Sequence, residues 1–134
     1  MSKLRVLYCE DEPDIRAIAK AAMESLGGFT VKDCESGPEG IAAATDFDPD
    51  IIVLDVMMPG MTGLETLVSL RTIDGFAAKP IIFMTAKVQH DEVVQYLKLG
   101  AAGVIPKPFD VMTLSDEIRR YWRQAKEGAA TPAV

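Results

Sequence analysis

Four carboxylates, Glu10, Asp11, Glu12 and Asp14, crowd into five residues directly after the apolar run VLYC. Acids this close repel one another unless they point into water or share something positive. A further carboxylate, Asp55, ends the apolar run DIIVLD, a hydroxyl, Thr85, ends PIIFMT, and an ammonium, Lys107, follows GVIP. Carboxylates that share a crevice and keep their charge suit a hard cation. Mg²⁺ usually takes one or two carboxylates, several waters and oxygens of a phosphoryl group. Glu10 and Asp11, with Asp55 as a third carboxylate, form the candidate metal set. Asp55 is also the candidate nucleophile, because carboxylates attack phosphoryl groups to give aspartyl phosphates. Phosphoryl transfer needs mainly positioning and charge neutralisation, which a metal on Glu10 and Asp11 and the ammonium of Lys107 would supply. Thr85 offers a hydroxyl to a phosphoryl oxygen, and the amides of the following loop could add donors.

Taken singly, each of these residues has a plainer reading. Glu12 and Asp14 read as solvated charges that favour the positive end of a helix starting at Pro13. Asp55 could be a turn residue before MMPGMTG. Lys107 could be a solvated lysine, and Thr85 a strand-end hydroxyl bonded to backbone. The chemical reading therefore requires a fold that brings four separate strand ends to one rim. Elsewhere the plain reading stands. His90, beside Asp91 at a helix start, is a cap or surface residue. Met57, Met58 and Met61 are adaptable packing under a loop. Cys9 and Cys34 form no CxxC and read as buried reduced thiols.

The elements that would position these groups are visible in the pattern. Apolar segments of strand length occur at 4–9, 29–34, 50–55, 80–85 and 103–106. Between them runs helical periodicity: Ile15, Ile18, Ala19, Ala22, Met23 and Leu26, then Leu64, Leu67 and Val68, and later Val111, Leu114, Ile118, Tyr121 and Trp122. Pro13 suits a first turn and Gly27 a helix end, Ser36 with Glu39 and Thr62 with Glu65 match the capping box, and Asp110 can cap the last helix. Five strands alternating with five helices imply βαβ crossovers and an α/β fold, a doubly wound five-stranded parallel sheet in the order 2-1-3-4-5. The middle segment, apolar on both faces, should be central. Pro106 places the fifth strand at an edge. In such a sheet ligands bind outside the carboxyl ends of the strands, where Glu10, Asp11, Asp55, Thr85 and Lys107 all fall.

A chain of 134 residues, 49% hydrophobic and 25% charged, is one ordinary globular domain. No segment reaches the ~18 uncharged apolar residues of a membrane span. The N-terminus lacks the run of a secretory signal, so the cytoplasm is expected. A net charge of −6 argues against nucleic acid as a direct partner.

The motifs VLYCEDE, IIVLDVMMPGMTG, IIFMTA and the Lys-Pro-Phe of IPKPF occur in order at the expected strand ends. With them the chain resembles the receiver domain of two-component response regulators, over residues 4 to about 124. The resemblance implies a flavodoxin-like fold and a phosphorylation-activated switch in a two-component or phosphorelay system. Asp55 then matches the phosphoacceptor, charged by a histidine kinase or a histidine phosphotransfer protein. Glu10 and Asp11 match the acidic pair that holds Mg²⁺, with the backbone carbonyl of Met57 as the third protein ligand. Thr85 matches the switch hydroxyl, Lys107 the phosphate-binding lysine, and the Lys107-Pro108 bond is expected to be cis. Output would pass to a downstream protein through the face built by the fourth helix, fifth strand and fifth helix. Such a domain is a signalling domain and no enzyme beyond its own phosphorylation and dephosphorylation. The domain is expected to occupy residues 1–126, with 127–134 a short flexible tail and no output domain. Val104 departs from the pattern, standing where these domains commonly carry a Tyr or Phe.

Three other readings compete. A haloacid-dehalogenase-like phosphatase also uses an aspartyl phosphate but needs a second Asp where this chain has Met57. A phosphorylation-independent adaptor would leave the acid, hydroxyl and lysine set without a task. Flavin binding would ask for a phosphate-cradling loop where EDEPD stands, and those acids would repel it.

Overall fold

A computed structural model describes residues 3–130. Its strands are β1 (Arg5–Cys9), β2 (Thr30–Cys34), β3 (Ile51–Leu54), β4 (Ile81–Thr85) and β5 (Gly103–Pro106). They alternate with α1 (Pro13–Ser25), α2 (Gly37–Phe47), α3 (Gly63–Arg71), α4 (His90–Leu99) and α5 (Leu114–Ala130). All strand pairs are parallel and the order is β2-β1-β3-β4-β5, as the sequence pattern predicts.

Strand alternation divides the core in two. Leu7, Ile52, Leu54, Ile81 and Phe83 face α2, α3 and α4, whose Ala44, Leu67, Leu70 and Tyr96 cover them. Val6, Tyr8, Ile51, Val53, Ile82 and Met84 face α1 and α5, which contribute Ala19, Met23, Leu114 and Ile118. Because both faces are covered, Ile51, Ile52, Val53 and Leu54 are wholly buried, which explains the unbroken apolar run of the central strand.

The helix starts follow local chemistry. Thr62 accepts from Glu65 N at 3.2 Å while Glu65 accepts from Thr62 N at 3.0 Å, a complete capping box. Ser36 makes only half of one: its hydroxyl accepts from Glu39 N, but the Glu39 carboxylate turns to Glu35 N at 2.8 Å. Asp110 caps a turn ahead of α5 instead of the helix itself, its Oδ1 accepting from Met112 N at 2.8 Å and its carbonyl from Leu114 N at 3.0 Å. Val111 therefore lies outside the helix and is exposed. Ile18, Leu26 and Val68 are exposed as well, beyond the part of each apolar stripe that the sheet covers. α5 runs on to Ala130, past the boundary expected at 126, and residues 131–134 lie outside the described residues. Among the described residues no helix is long and apolar enough to cross a membrane.

Candidate functional site

Main-chain bonds carry the sheet one residue beyond the strand ends and so place the site. Glu10 N donates to Cys34 O at 3.0 Å, Asp55 N to Cys9 O at 3.0 Å and Lys107 N to Thr85 O at 2.9 Å. Glu10 and Asp55 leave adjacent strands at the same level, because Cys9 pairs with Leu54. Lys107 reaches them from the end of edge strand β5, and its bond to Pro108 is cis. Its Nζ lies 2.5 Å from Glu10 Oε1 and 3.3 Å from Asp55 Oδ2. The remaining Asp55 oxygen, Oδ1, accepts from Met57 N at 3.2 Å.

Glu10, Asp11 and Asp55 each bring a carboxylate oxygen within 4.8 Å of the others. Asp11 Oδ1 is buried and has no hydrogen-bond partner. Three hard oxygens in one cluster, one of them desolvated without a donor, are the ligand set that a small divalent cation satisfies, so the residues present fit Mg²⁺. Asp55, Met57, Ala86, Lys107 and Pro108, with Glu12 and Ile15 from the start of α1, wall an open cavity of about 330 Å³ beside them.

Electrostatics in the crevice are finely opposed. Burial pushes the Glu10 carboxyl up, Lys107 pulls it back, and Asp55 pushes it up again, leaving it at about 7. For Lys107 burial works against the charge, yet Glu10 and Asp55 outweigh it and hold the ammonium above its ordinary range. Burial, with Glu10 and Asp55 nearby, drives the Tyr8 phenol far above its usual value and keeps it protonated.

Thr85 ends β4 beside Pro106, the residue before Lys107, but its side chain does not join the crevice. It is wholly buried, and its hydroxyl accepts from Lys87 N at 3.0 Å. Met57, read as packing, is exposed on the cavity wall, whereas Met58 is buried. Glu12, read as a solvated charge, also lines the cavity. His90 is the exposed first residue of α4, capped by Gln89. Cys9 and Cys34 are free, buried and paired across β1 and β2.

Two supporting residues escaped sequence reasoning. Arg16 donates to Glu10 O at 2.8 Å and pairs with Asp33 at 3.4 Å, tying the acidic loop to β2. Tyr8 donates to Glu10 Oε1 at 3.5 Å from within the core. Arg16 sits one turn into an acidic helix start, a position whose target only the fold reveals.

Known proteins resemble this chain in sequence and in fold. Residues 6–119 match the family described as the response regulator receiver domain. The chain is 36% identical over 92% of its length to the uncharacterized transcriptional regulatory protein YkoG of Bacillus subtilis. It is 32% identical over 92% to the phosphate regulon transcriptional regulatory protein PhoB of Pseudomonas aeruginosa. It spans about half the length of these curated relatives, 53% of each. The crystallized chemotaxis protein CheY4 of Vibrio cholerae superposes with a TM-score of 0.84 at 28% identity, covering 90% of this chain and 99% of that one. A five-stranded sheet in this order, an acidic crevice at its carboxyl rim and a match over nearly the whole domain agree, and the chain belongs to the response regulator receiver domain family.

Proposed function

We propose that this receiver domain accepts a phosphoryl group on Asp55 from a phosphohistidine donor and signals by protein–protein contact. The observation that carries the reading is the Asp55 carboxylate, nearly buried, 3.3 Å from the Lys107 ammonium and clustered with Glu10 and an Asp11 oxygen that has no partner. An Asp55 oxygen attacks phosphorus, the bond from phosphorus to the donor imidazole nitrogen breaks, and its electron pair stays on that nitrogen. Glu10, Asp11, Asp55 and the Met57 carbonyl would hold Mg²⁺, whose charge lets phosphoryl oxygens enter an otherwise acidic crevice.

The chain's own groups do the rest. Met57 N and Lys107 fix the two Asp55 oxygens, so the nucleophile loses little freedom on reaction. Lys107, shared between Glu10 and Asp55, is placed to turn to a phosphoryl oxygen. Thr85 supplies a hydroxyl once its side chain turns toward the rim. The donor would be a histidine kinase or a histidine phosphotransfer protein. Output would pass to a protein partner at the face of α4, β5 and α5, where Val93, Leu97, Val104 and Tyr121 line an apolar groove of about 370 Å³.

The test is an NMR titration with beryllofluoride, a phosphoryl mimic, in the presence of Mg²⁺. Large amide shifts are expected at Asp55, Met57, Thr85 and Lys107, absent without Mg²⁺ and absent in Asp55→Asn. Shifts that persist unchanged in Asp55→Asn, or no shifts at all, would refute the assignment.

A further inference from the structure

Thr85 follows Phe83 by two residues on β4, so its side chain leaves the sheet on the face that packs against α4. There Tyr96, 2% exposed, sets its ring edge-on to Phe83 with centroids 5.1 Å apart. The Tyr96 hydroxyl donates to Lys87 O at 2.9 Å, and the amide of that same residue, Lys87 N, donates to Thr85 Oγ1 at 3.0 Å. One residue of the loop between β4 and α4 is thus held at both ends of its main chain. The amide is tied to Thr85, and the carbonyl to a buried side chain of α4. Burial, with Glu92 nearby, pushes the Tyr96 phenol above its usual range, so the hydroxyl stays protonated and a donor. Val104, paired with Phe83 from β5, packs on the same cluster but offers no hydrogen-bonding group.

We propose that Tyr96 is the positioning residue that couples Thr85 to α4 through the main chain of Lys87. The inference rests on the reading of Thr85 as a ligand of the phosphoryl group. To reach a phosphoryl oxygen on Asp55, the Thr85 hydroxyl must leave the pocket where it now accepts from Lys87 N. Freed of that acceptor, the part-buried Lys87 amide must take a new partner, which turns the main chain at Lys87. Its carbonyl is the acceptor of the Tyr96 hydroxyl, itself buried, so α4 must follow or lose that bond. Val93 and Leu97, one turn before Tyr96 and one residue after it, line the groove at the output face and move with the helix. The relay is two hydrogen bonds long and uses a side chain from α4, with β5 contributing only packing through Val104.

Hydrogen exchange of wild type, Tyr96→Phe and Val104→Ala, with and without beryllofluoride and Mg²⁺, tests the relay. NMR shifts at Asp55 and Lys107 report separately that the mimic is bound. Phe keeps the ring against Phe83 and removes only the hydroxyl, so the fold is retained. In wild type and Val104→Ala the mimic is expected to change exchange at residues 93–97 by about fivefold, the factor of one hydrogen bond of ordinary net strength. In Tyr96→Phe the mimic is expected to bind with wild-type shifts at Asp55 and Lys107 while the change at 93–97 is lost. The Tyr96 ring resonances of the wild type, which need no variant, are expected to shift in step with those amides. A full response in Tyr96→Phe, a response lost in Val104→Ala instead, or ring resonances that stay still would overturn the relay and leave the phosphoacceptor reading intact. Failure of the mimic to shift Asp55 and Lys107 in wild type would overturn both.

Discussion

Glu10 has no exposed surface, and the ammonium of Lys107 lies 2.5 Å from its Oε1. With burial and Asp55 against it, its carboxyl titrates at about 7. At pH 7 about half of the folded, metal-free protein therefore carries this proton. Folding stability without metal is expected to fall as pH rises from the ordinary carboxyl range through about 7, because the unfolded chain releases that proton first. Mg²⁺ needs the ionised form and must displace the proton. Its apparent affinity should rise about fivefold from pH 6 to pH 7 and level off above about pH 8, with about half a proton released per ion at pH 7. Calorimetric titrations in buffers of different ionisation enthalpy read both quantities. A flat affinity across this range would contradict the assignment of Glu10. At this level the sequence was informative about Glu10, Asp11, Asp55 and Lys107, since each lies within two residues of a strand end and inherits its place from backbone register. It was silent about Tyr8 and Arg16, whose partners are fixed only when separate segments pack.

Among the elements, the contact of α3 with the end of β3 governs how well Asp55 is held. Gly63 opens α3 and donates its amide to Val56 O at 2.9 Å. A Cβ at Gly63 would stand 2.2 Å from Asp55 O and 2.9 Å from Val56 Cα, both backbone atoms that cannot swing aside. Gly63→Ala is expected to destabilise the domain by about 1–3 kcal/mol. It should also slow phosphorylation of Asp55 by about tenfold or more, because a shift of a few tenths of an ångström misplaces the nucleophile. Urea unfolding and the rate with acetyl phosphate measure the two effects, and wild-type values for both would contradict the packing argument. The strands and their order were legible in the sequence because each apolar run is short, bounded and alternates with helical period. The helix faces were legible only in part. Periodicity placed Ile18, Leu26, Val68 and Val111 on apolar helical stripes, yet a stripe says which side faces inward and not how much of it a neighbour covers. Asp110 shows the same limit, since an Asx turn and a helix cap look alike until the chain after them is placed.

Taken whole, the molecule carries a net charge of −6 and gathers three carboxylates at one end of its sheet. That concentration opposes folding until a cation binds. Mg²⁺ at about a hundred times its dissociation constant is expected to stabilise the domain by about 2.7 kcal/mol. In a domain of this size that raises Tm by roughly 10 °C. The rise should shrink sharply in Asp11→Asn, which replaces the carboxylate with the unpartnered oxygen. An equal rise in that variant would place the cation elsewhere. The central claim, that Asp55 is a Mg²⁺-dependent phosphoacceptor, is tested most directly by intact mass spectrometry after incubation with acetyl phosphate. With Mg²⁺ the protein is expected to gain the mass of one phosphoryl group, borohydride reduction should map the acyl phosphate to Asp55, and Asp55→Asn should gain nothing. A protein that stays unmodified with Mg²⁺ present, or that gains the group equally in Asp55→Asn, would contradict it.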